Sequence, residues 1–212
     1  MAVPQRPVTH RVHAALPSPP RLRGAVRVEV VAYDPRWPQQ FTAVREELLA
    51  ALRGVEVIGV EHVGSTSVPG LAAKPRIDVD VVVSTEHLSA AREALEAAGY
   101  SWLGEQGVTD RHAFRAPDRA PPRNVYVAID GCLALRNHLA VRDLLRRDAR
   151  LRDEYGQLKP ELAGRDYADI DRYVLDKSPM IQRILAAAGL DAEERAAIDV
   201  MNAGTGAHRT GW

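Results

Sequence analysis

The stretch 57–83, VIGVEHVGSTSVPGLAAKPRIDVDVVV, constrains this chain more than any other, because it sets two apolar, strand-like runs on either side of a turn of small residues. The first run, 57–63, reads as a buried strand interrupted by Gly59, Glu61 and His62. It stops at Gly64-Ser65-Thr66-Ser67, ahead of Pro69-Gly70. The second, 77–83, alternates Ile77, Val79 and Val81 with Asp78 and Asp80. Side chains in a strand repeat with period two, so the two aspartates share one face and the three aliphatic residues the other.

Adjacent carboxylates repel and raise each other's pKa unless a cation or a shared proton relieves them. Mg²⁺ does this well, since it takes one or two protein carboxylates and completes its shell with water and substrate phosphate. The alternative is a solvated strand face with two ordinary surface aspartates. Gly64-Ser65 also has two readings, a plain turn or a concave nest of backbone N–H groups that holds phosphate oxygens, with neighbouring hydroxyls as further donors. Glycine there lets the backbone approach a ligand closely. A Gly-Ser pair followed after twelve residues by D-x-D in an apolar strand favours the second reading of both features.

Together these residues resemble the signature of the nucleotidyltransferase superfamily of the polymerase β type, and EHVGSTSVPGLAAKPRIDVDVVV is more closely similar to the GrpB family within it. Upstream, Val31-Ala32-Tyr33-Asp34-Pro35-Arg36-Trp37-Pro38 with Phe41 matches the family's opening. Downstream, Arg123-Asn124-Val125-Tyr126-Val127, the run from His138 to Arg146, Tyr155-Gly156-Gln157-Leu158-Lys159, Tyr173 and Lys177 match later blocks, so the resemblance spans about residues 28–188.

The resemblance implies an α/β (α+β) fold, a nucleotidyltransferase-like mixed β-sheet flanked by helices, with further helices at the C-terminal end. It implies catalytic aspartates Asp78 and Asp80 that hold one or two Mg²⁺ ions, and a nucleoside triphosphate seated on Gly64, Ser65, Thr66 and Ser67. Around that nucleotide it implies Lys74, Arg123, Tyr126, His138, Arg142, Lys159 and Lys177. Nucleotidyltransferases commonly place a third carboxylate on a later strand, and the GrpB pattern usually has His where this chain has Tyr126. Tyrosine, with an ordinary pKa of about 10, is a poor base near neutrality and a weak Mg²⁺ ligand. Glu61, Glu105, Asp130 and Asp143 are candidates for the missing acid.

Charge narrows the partners. The 28 basic and 28 acidic residues balance, so no global charge points to nucleic acid or an anionic membrane. No run approaches the ~18 apolar residues of a membrane span. The single cysteine, Cys132, excludes an internal disulfide and suits a reducing cytoplasm; as a small helix-start residue it has no spacing that supports a nucleophile. Of the 28 basic residues only Lys74, Lys159 and Lys177 are lysine. Each offers the compact point charge that phosphates favour, or is a chance survivor in an arginine-biased chain.

Along the chain, residues 1–25 carry five prolines and several arginines and read as a disordered arm. Residues 26–190 form the expected domain: a strand at 26–31, a helix with Pro38 in its first turn running to Gly54, the central stretch, then a helix at 86–98 ended by Gly99. Strands follow at 100–103, 111–115 and 123–130, where Asn124, Tyr126 and Ala128 share a face, then helices at 133–147, 149–159 and 167–188, the last two separated by Pro160 and Gly164. On the first of these, His138, Arg142 and Arg146 line one face, either for a triphosphate tail or as a solvated edge. A short helix at 191–200 and a frayed tail complete the chain. No internal repeat or zinc spacing is present.

The function implied is Mg²⁺-dependent transfer of a nucleoside monophosphate from a nucleoside triphosphate to a small-molecule or protein acceptor. Two alternatives stand beside it: a non-catalytic nucleotide- or partner-binding accessory module, and a different group-transfer or ligation chemistry on the same scaffold.

Overall fold

A computed structural model describes residues 28–118 and 120–204. The first helix, α1 (Trp37–Ala51), begins with proline in its first turn, where the missing N–H leaves no bond unmade. Its buried stripe is Trp37, Val44 and Leu48. Strand β1 (Gly59–Val63) leads into a 3₁₀ turn (Ser65–Ser67), and β2 (Ile77–Val83) follows. Helix α2 (Leu88–Ala97), β3 (Ser101–Trp102), β4 (Arg111–Arg115) and β5 (Arg123–Ile129) complete the sheet region. The remaining chain is helical: α3 (Leu133–Arg147), α4 (Ala149–Ala163), α5 (Ile170–Ala187) and α6 (Ala192–Gly204).

The strands form one mixed sheet in the order β1-β2-β5-β4-β3. β2 runs parallel to β5 and the other pairs are antiparallel. This is the mixed, helix-flanked sheet that the nucleotidyltransferase resemblance implies. Period-two alternation decides which face each residue serves. Ile77, Val79, Val81, Val125 and Val127 pack with Trp37, Val44 and Leu48 of α1 and Ala91 and Leu95 of α2. Burying a side chain of this size contributes about 1.5–3 kcal/mol. Asp78 and Asp80 of β2 and Asn124 and Tyr126 of β5 are thereby turned to the opposite face. There α3, α4 and α5 pack around Leu144, Leu145, Leu151, Tyr155, Met180 and Ile184, joined by Val68 and Leu71 from the loop after β1. α6 adds the fully buried Ile198 and an ion pair from Glu194 to Arg136 of α3.

Three expectations change. No strand forms at 28–31; only Val31 bridges Ala73, since the segment meets a single loop residue rather than an extended partner. Residues 26 and 27, the arm over 1–25 and the tail over 205–212 lie outside the described residues. α4 runs through Pro160 to Ala163. Proline removes one intrahelical bond, but burial of Lys159 and Leu162 on either side holds the last turn against the body. α6 extends through residues 201–204, where a frayed tail was expected.

Candidate functional site

The register of three strands builds the site. Asp80 lies opposite Glu61 on one side and Tyr126 on the other, while Asp78 lies between Val63 and Asn124. Paired residues in a sheet share a face, so these side chains all point toward the C-terminal helices. A cavity of about 320 Å³ opens there. Its wall includes Gly64, Ser65, Thr66, Lys74, Asp78, Tyr126, His138, Lys159 and Lys177. Asp80 sits beneath this wall, fully buried.

Gly64 shows why the turn carries glycine. Its φ of 67° and ψ of −171° belong to a region that side-chain-bearing residues scarcely enter. A Cβ there would also stand 2.2 Å from Oδ2 of Asp78. The backbone thus closes directly over the carboxylate. Ser65 opens the 3₁₀ turn, and its hydroxyl accepts from Nζ of Lys159. That ammonium also donates to the carbonyl of Ala72 at 3.0 Å and stands 4.3 Å from the ring centre of Tyr155. Lys177 caps the ring of Tyr173 at 4.5 Å on the facing helix.

Each aspartate has a dedicated partner. Asn124 donates to Oδ1 of Asp78 at 2.6 Å and accepts from Arg76 at 3.3 Å. Asp80 Oδ2 accepts from Nδ1 of His138 at 2.7 Å. A carboxylate can only accept, so this bond places a ring proton on Nδ1. The other oxygen of Asp80, Oδ1, is buried and has no hydrogen-bond partner among the described residues. Burial pushes the Asp78 carboxyl above its usual range, and Asp80 adds to that, against the Asn124 bond and the charges of His138 and Arg76. Lys159 moves the other way: burial, reinforced by Lys177, holds its ammonium well below the usual lysine range, opposed by Asp78.

Not every expected residue reaches the cavity. Arg123 shares its face with Val125 and Val127, and its side chain points to the α1 layer, where Nη2 donates to Glu47 at 2.9 Å and Nη1 to Asp118 at 2.7 Å. This is a correction, and strand parity was the signal for it, since Arg123 alternates with the Asn124–Tyr126 face. Arg142 is spent on Glu61 at 2.5 Å, Asp143 at 2.7 Å and the carbonyl of His62 at 3.2 Å, which anchors α3 to β1 outside the cavity wall. Ser67 turns its hydroxyl to the carbonyl of Gly64 at 2.6 Å, tightening the turn rather than facing the cavity. Thr66 touches the cavity, yet its hydroxyl serves His62 at 3.0 Å and the carbonyl of Arg76 at 3.2 Å. Conversely, Arg76, Arg111, Asn124, Tyr155 and Tyr173 line the cavity without having been expected as site residues. The pairing of β5 with β2 brings in Asn124 and that of β4 with β5 brings in Arg111; Arg76 stands two residues before Asp78, and only the packing of α4 and α5 brings in Tyr155 and Tyr173.

The donor set fits a hard divalent ion in one specific sense. Among the described residues no three His, Cys, Asp or Glu side chains converge as a metal cage. Mg²⁺ does not require one, because substrate phosphate and water fill most of its shell. Two carboxylates on one strand face, one with an unpartnered buried oxygen and the other raised in pKa by burial, are suited to such an ion.

Comparison with known proteins places the chain in a family. A sequence profile described as GrpB protein matches residues 27–187. UPF0157 protein YqkA of Bacillus subtilis is 34% identical over 157 residues, covering 74% of this chain and 46% of that protein, so the chain spans less than half of that relative's length. A dephospho-CoA kinase of Mycolicibacterium paratuberculosis is 32% identical over 180 residues, covering 72% of this chain and 44% of the kinase. The crystal structure of conserved protein GrpB from Enterococcus faecalis superposes with a TM-score of 0.65 at 34% identity, covering 76% of this chain and 96% of that one. With the profile spanning most of the chain and the same fold in a solved relative, this protein belongs to the GrpB family.

Proposed function

We propose that this protein transfers a nucleoside monophosphate from a nucleoside triphosphate to a small-molecule or protein acceptor in a Mg²⁺-dependent reaction. The observation that carries the reading is the single cavity wall that unites the Gly64–Ser65 turn, Asp78, with Asp80 directly beneath it, and the lysines Lys159 and Lys177. Asp78 and Asp80 would hold the ion, which when bound neutralises phosphate charge and stabilises the entering and leaving oxygens of the displacement.

The chain's own groups divide the remaining work. Gly64 lets the turn approach the phosphates, and Ser65 offers them a hydroxyl. Lys159 and Lys177 offset negative charge as the pyrophosphate leaves. Phosphate arriving at Lys159 restores the counter-charge that burial denies it, so binding favours its protonated form. His138, oriented by Asp80, presents Nε2 to take the proton from the acceptor hydroxyl or amine as that group attacks the α-phosphorus and the bond to pyrophosphate breaks. The histidine thus stands in the role left open by Tyr126.

One observation favours a second reading. β5 sets Asn124 beside Asp78 and Tyr126 beside Asp80, so it brings no third carboxylate to the pair. A nucleotide-binding accessory module needs none, and GrpB-like sequence also occurs within proteins named dephospho-CoA kinase. A different group-transfer chemistry on the same scaffold is the third reading.

The test is calorimetric titration with each nucleoside triphosphate plus Mg²⁺, repeated on the Asp78→Asn/Asp80→Asn double variant. Mg²⁺-dependent binding that disappears in the variant supports the site, and pyrophosphate release then separates transfer from mere binding. If the wild type binds no triphosphate, the nucleotidyl-transfer reading fails.

A further inference from the structure

Arg111 is a buried charge in the wall of the same cavity that the preceding reaction leaves without a task. β4 pairs Arg111 with Ala128 and Ala113 with Tyr126, which puts Arg111 on the aspartate face of the sheet. Its guanidinium carbon lies 4.4 Å from the ring centre of Tyr126. The residue is only 6% exposed. Its Nε is buried with no hydrogen-bond partner among the described residues. Nor does any carboxylate among those residues form an ion pair with Arg111.

A guanidinium cannot relieve burial by losing its proton, because its pKa lies above about 12. The face of an aromatic ring offsets only part of the desolvation. What remains is a demand for an anion. Arg76 lines the same cavity from beside the Gly64–Ser67 turn, where its Nη1 is already engaged by Asn124 and the carbonyl of Arg123.

The position of this demand identifies the anion. The Gly64–Ser65 turn follows β1, at one edge of the sheet, and Lys159 reaches the same turn from α4. Arg111 lies on β4, separated from the aspartate strand by β5 and on the side away from β1. Two strand spacings put the backbones of β2 and β4 roughly 10 Å apart, and the Arg111 side chain reaches back over Tyr126. The two cationic regions therefore flank the aspartates, one on each side.

We propose that Arg111 holds the anionic group of the acceptor, a carboxylate or a phosphate, on the flank of Asp80 opposite the nucleotide's phosphate seat. The proposal rests on the nucleotidyl-transfer reading and narrows its acceptor to a small acidic molecule. The hydroxyl or amine that reacts lies beside His138 and Asp80, and the acidic group lies over Tyr126. Lysine would not serve equally, since the planar fork of Arg stacks on the ring and still presents parallel N–H groups to a two-oxygen anion.

The test titrates the full chain with inorganic phosphate, and separately with succinate, before and after saturation with Mg²⁺ and a non-hydrolysable α,β-methylene analogue of ATP. At least one of the two anions is expected to bind the nucleotide-loaded protein, and the tighter one names the acidic group. Arg111→Met is expected to weaken that binding by at least about tenfold, with Arg111→Lys intermediate. The nucleotide analogue should keep its affinity within about twofold in both variants. Far-UV circular dichroism checks that each is folded, and the lysine variant carries the test if the methionine variant is not. Displacement of the anion by the nucleotide, or equal weakening of both in Arg111→Met, assigns Arg111 to the nucleotide's own phosphates and overturns the proposal. Failure of both anions to bind, or binding that is indifferent to residue 111, overturns it as well. If the wild type binds no nucleotide but binds an anion in an Arg111-dependent way, the anion site stands and the nucleotidyl-transfer reading alone falls.

Discussion

Nδ1 of His138 stands 2.7 Å from Oδ2 of Asp80, so a residue of the first C-terminal helix is fixed directly to β2. The bond orients the ring of a residue that lines the cavity. Replacing His138 with Ala should lower pyrophosphate release by about 10²–10⁴-fold, the usual yield of a positioned general base. Affinity for Mg²⁺-nucleotide should change far less, and equal loss of both would reduce His138 to a support for Asp80. Quenched-flow product assay beside calorimetry separates the two.

Gly64→Ala should be among the most damaging single changes in the chain. The new Cβ would fall 2.2 Å from Asp78 Oδ2, and the backbone would keep a φ of 67° that alanine resists. Strain of this kind costs of order 1–3 kcal/mol before the clash is added. Urea unfolding should show the loss of stability, and nucleotide binding should be lost even where the variant remains folded. Wild-type affinity in Gly64→Ala would show that the turn does not seat the phosphates.

Arg123→Met tests the reassignment of that residue. Its side chain is 1% exposed and bridges Glu47 and Asp118, both of which face solvent in part. Burial alone would lower its pKa, but the bonds it donates to Asp118 and Tyr100 outweigh this and hold it above the usual arginine range. Its removal should cost roughly 1–3 kcal/mol of stability and leave Mg²⁺-nucleotide affinity within about twofold. A selective loss of nucleotide affinity would return Arg123 to the site.

Acid should destabilise the fold partly through His62. The ring is buried, stacks on Phe41 at 4.6 Å and bonds Thr66. Burial, then the charges of Arg146 and Arg142, lower its pKa from 6.5 to about 4. Below 6.5 the unfolded chain therefore takes up a proton that the folded chain refuses until about pH 4, so stability falls as pH drops through that window. The loss amounts to at most roughly 3 kcal/mol. Asp78, whose pKa is raised, works in the opposite direction and offsets part of it. Urea melts between neutral pH and the acid end of the window should show the slope, and His62→Gln should flatten it. An unaltered slope in His62→Gln would assign the acid loss to other groups.

Much of this architecture was legible from local pattern. The alternation of Ile77, Asp78, Val79, Asp80 and Val81 is visible without any structure, and β2 and the two-aspartate face follow from it. β4 and α3 coincide with the spans read from the sequence, 111–115 and 133–147. Pro160 misled because a local rule about helix interruption was applied where tertiary burial of Lys159 and Leu162 prevailed. Arg123 misled differently: its matching block was weighed above its parity, which places it with Val125 and Val127.

By itself the sequence determined the five strands of the sheet, the glycine turn and the pair of carboxylates, because periodicity and turn chemistry act over a few neighbouring residues. The tertiary structure alone decided which cations meet those carboxylates. Lys159 lies 94 residues from Ser65 and His138 lies 58 from Asp80, and no spacing relates either pair. The order of strands likewise put Arg111 across the sheet from the Gly64–Ser65 turn. A side chain's face is a local property, whereas what stands opposite that face depends on how distant segments bury their apolar surfaces together.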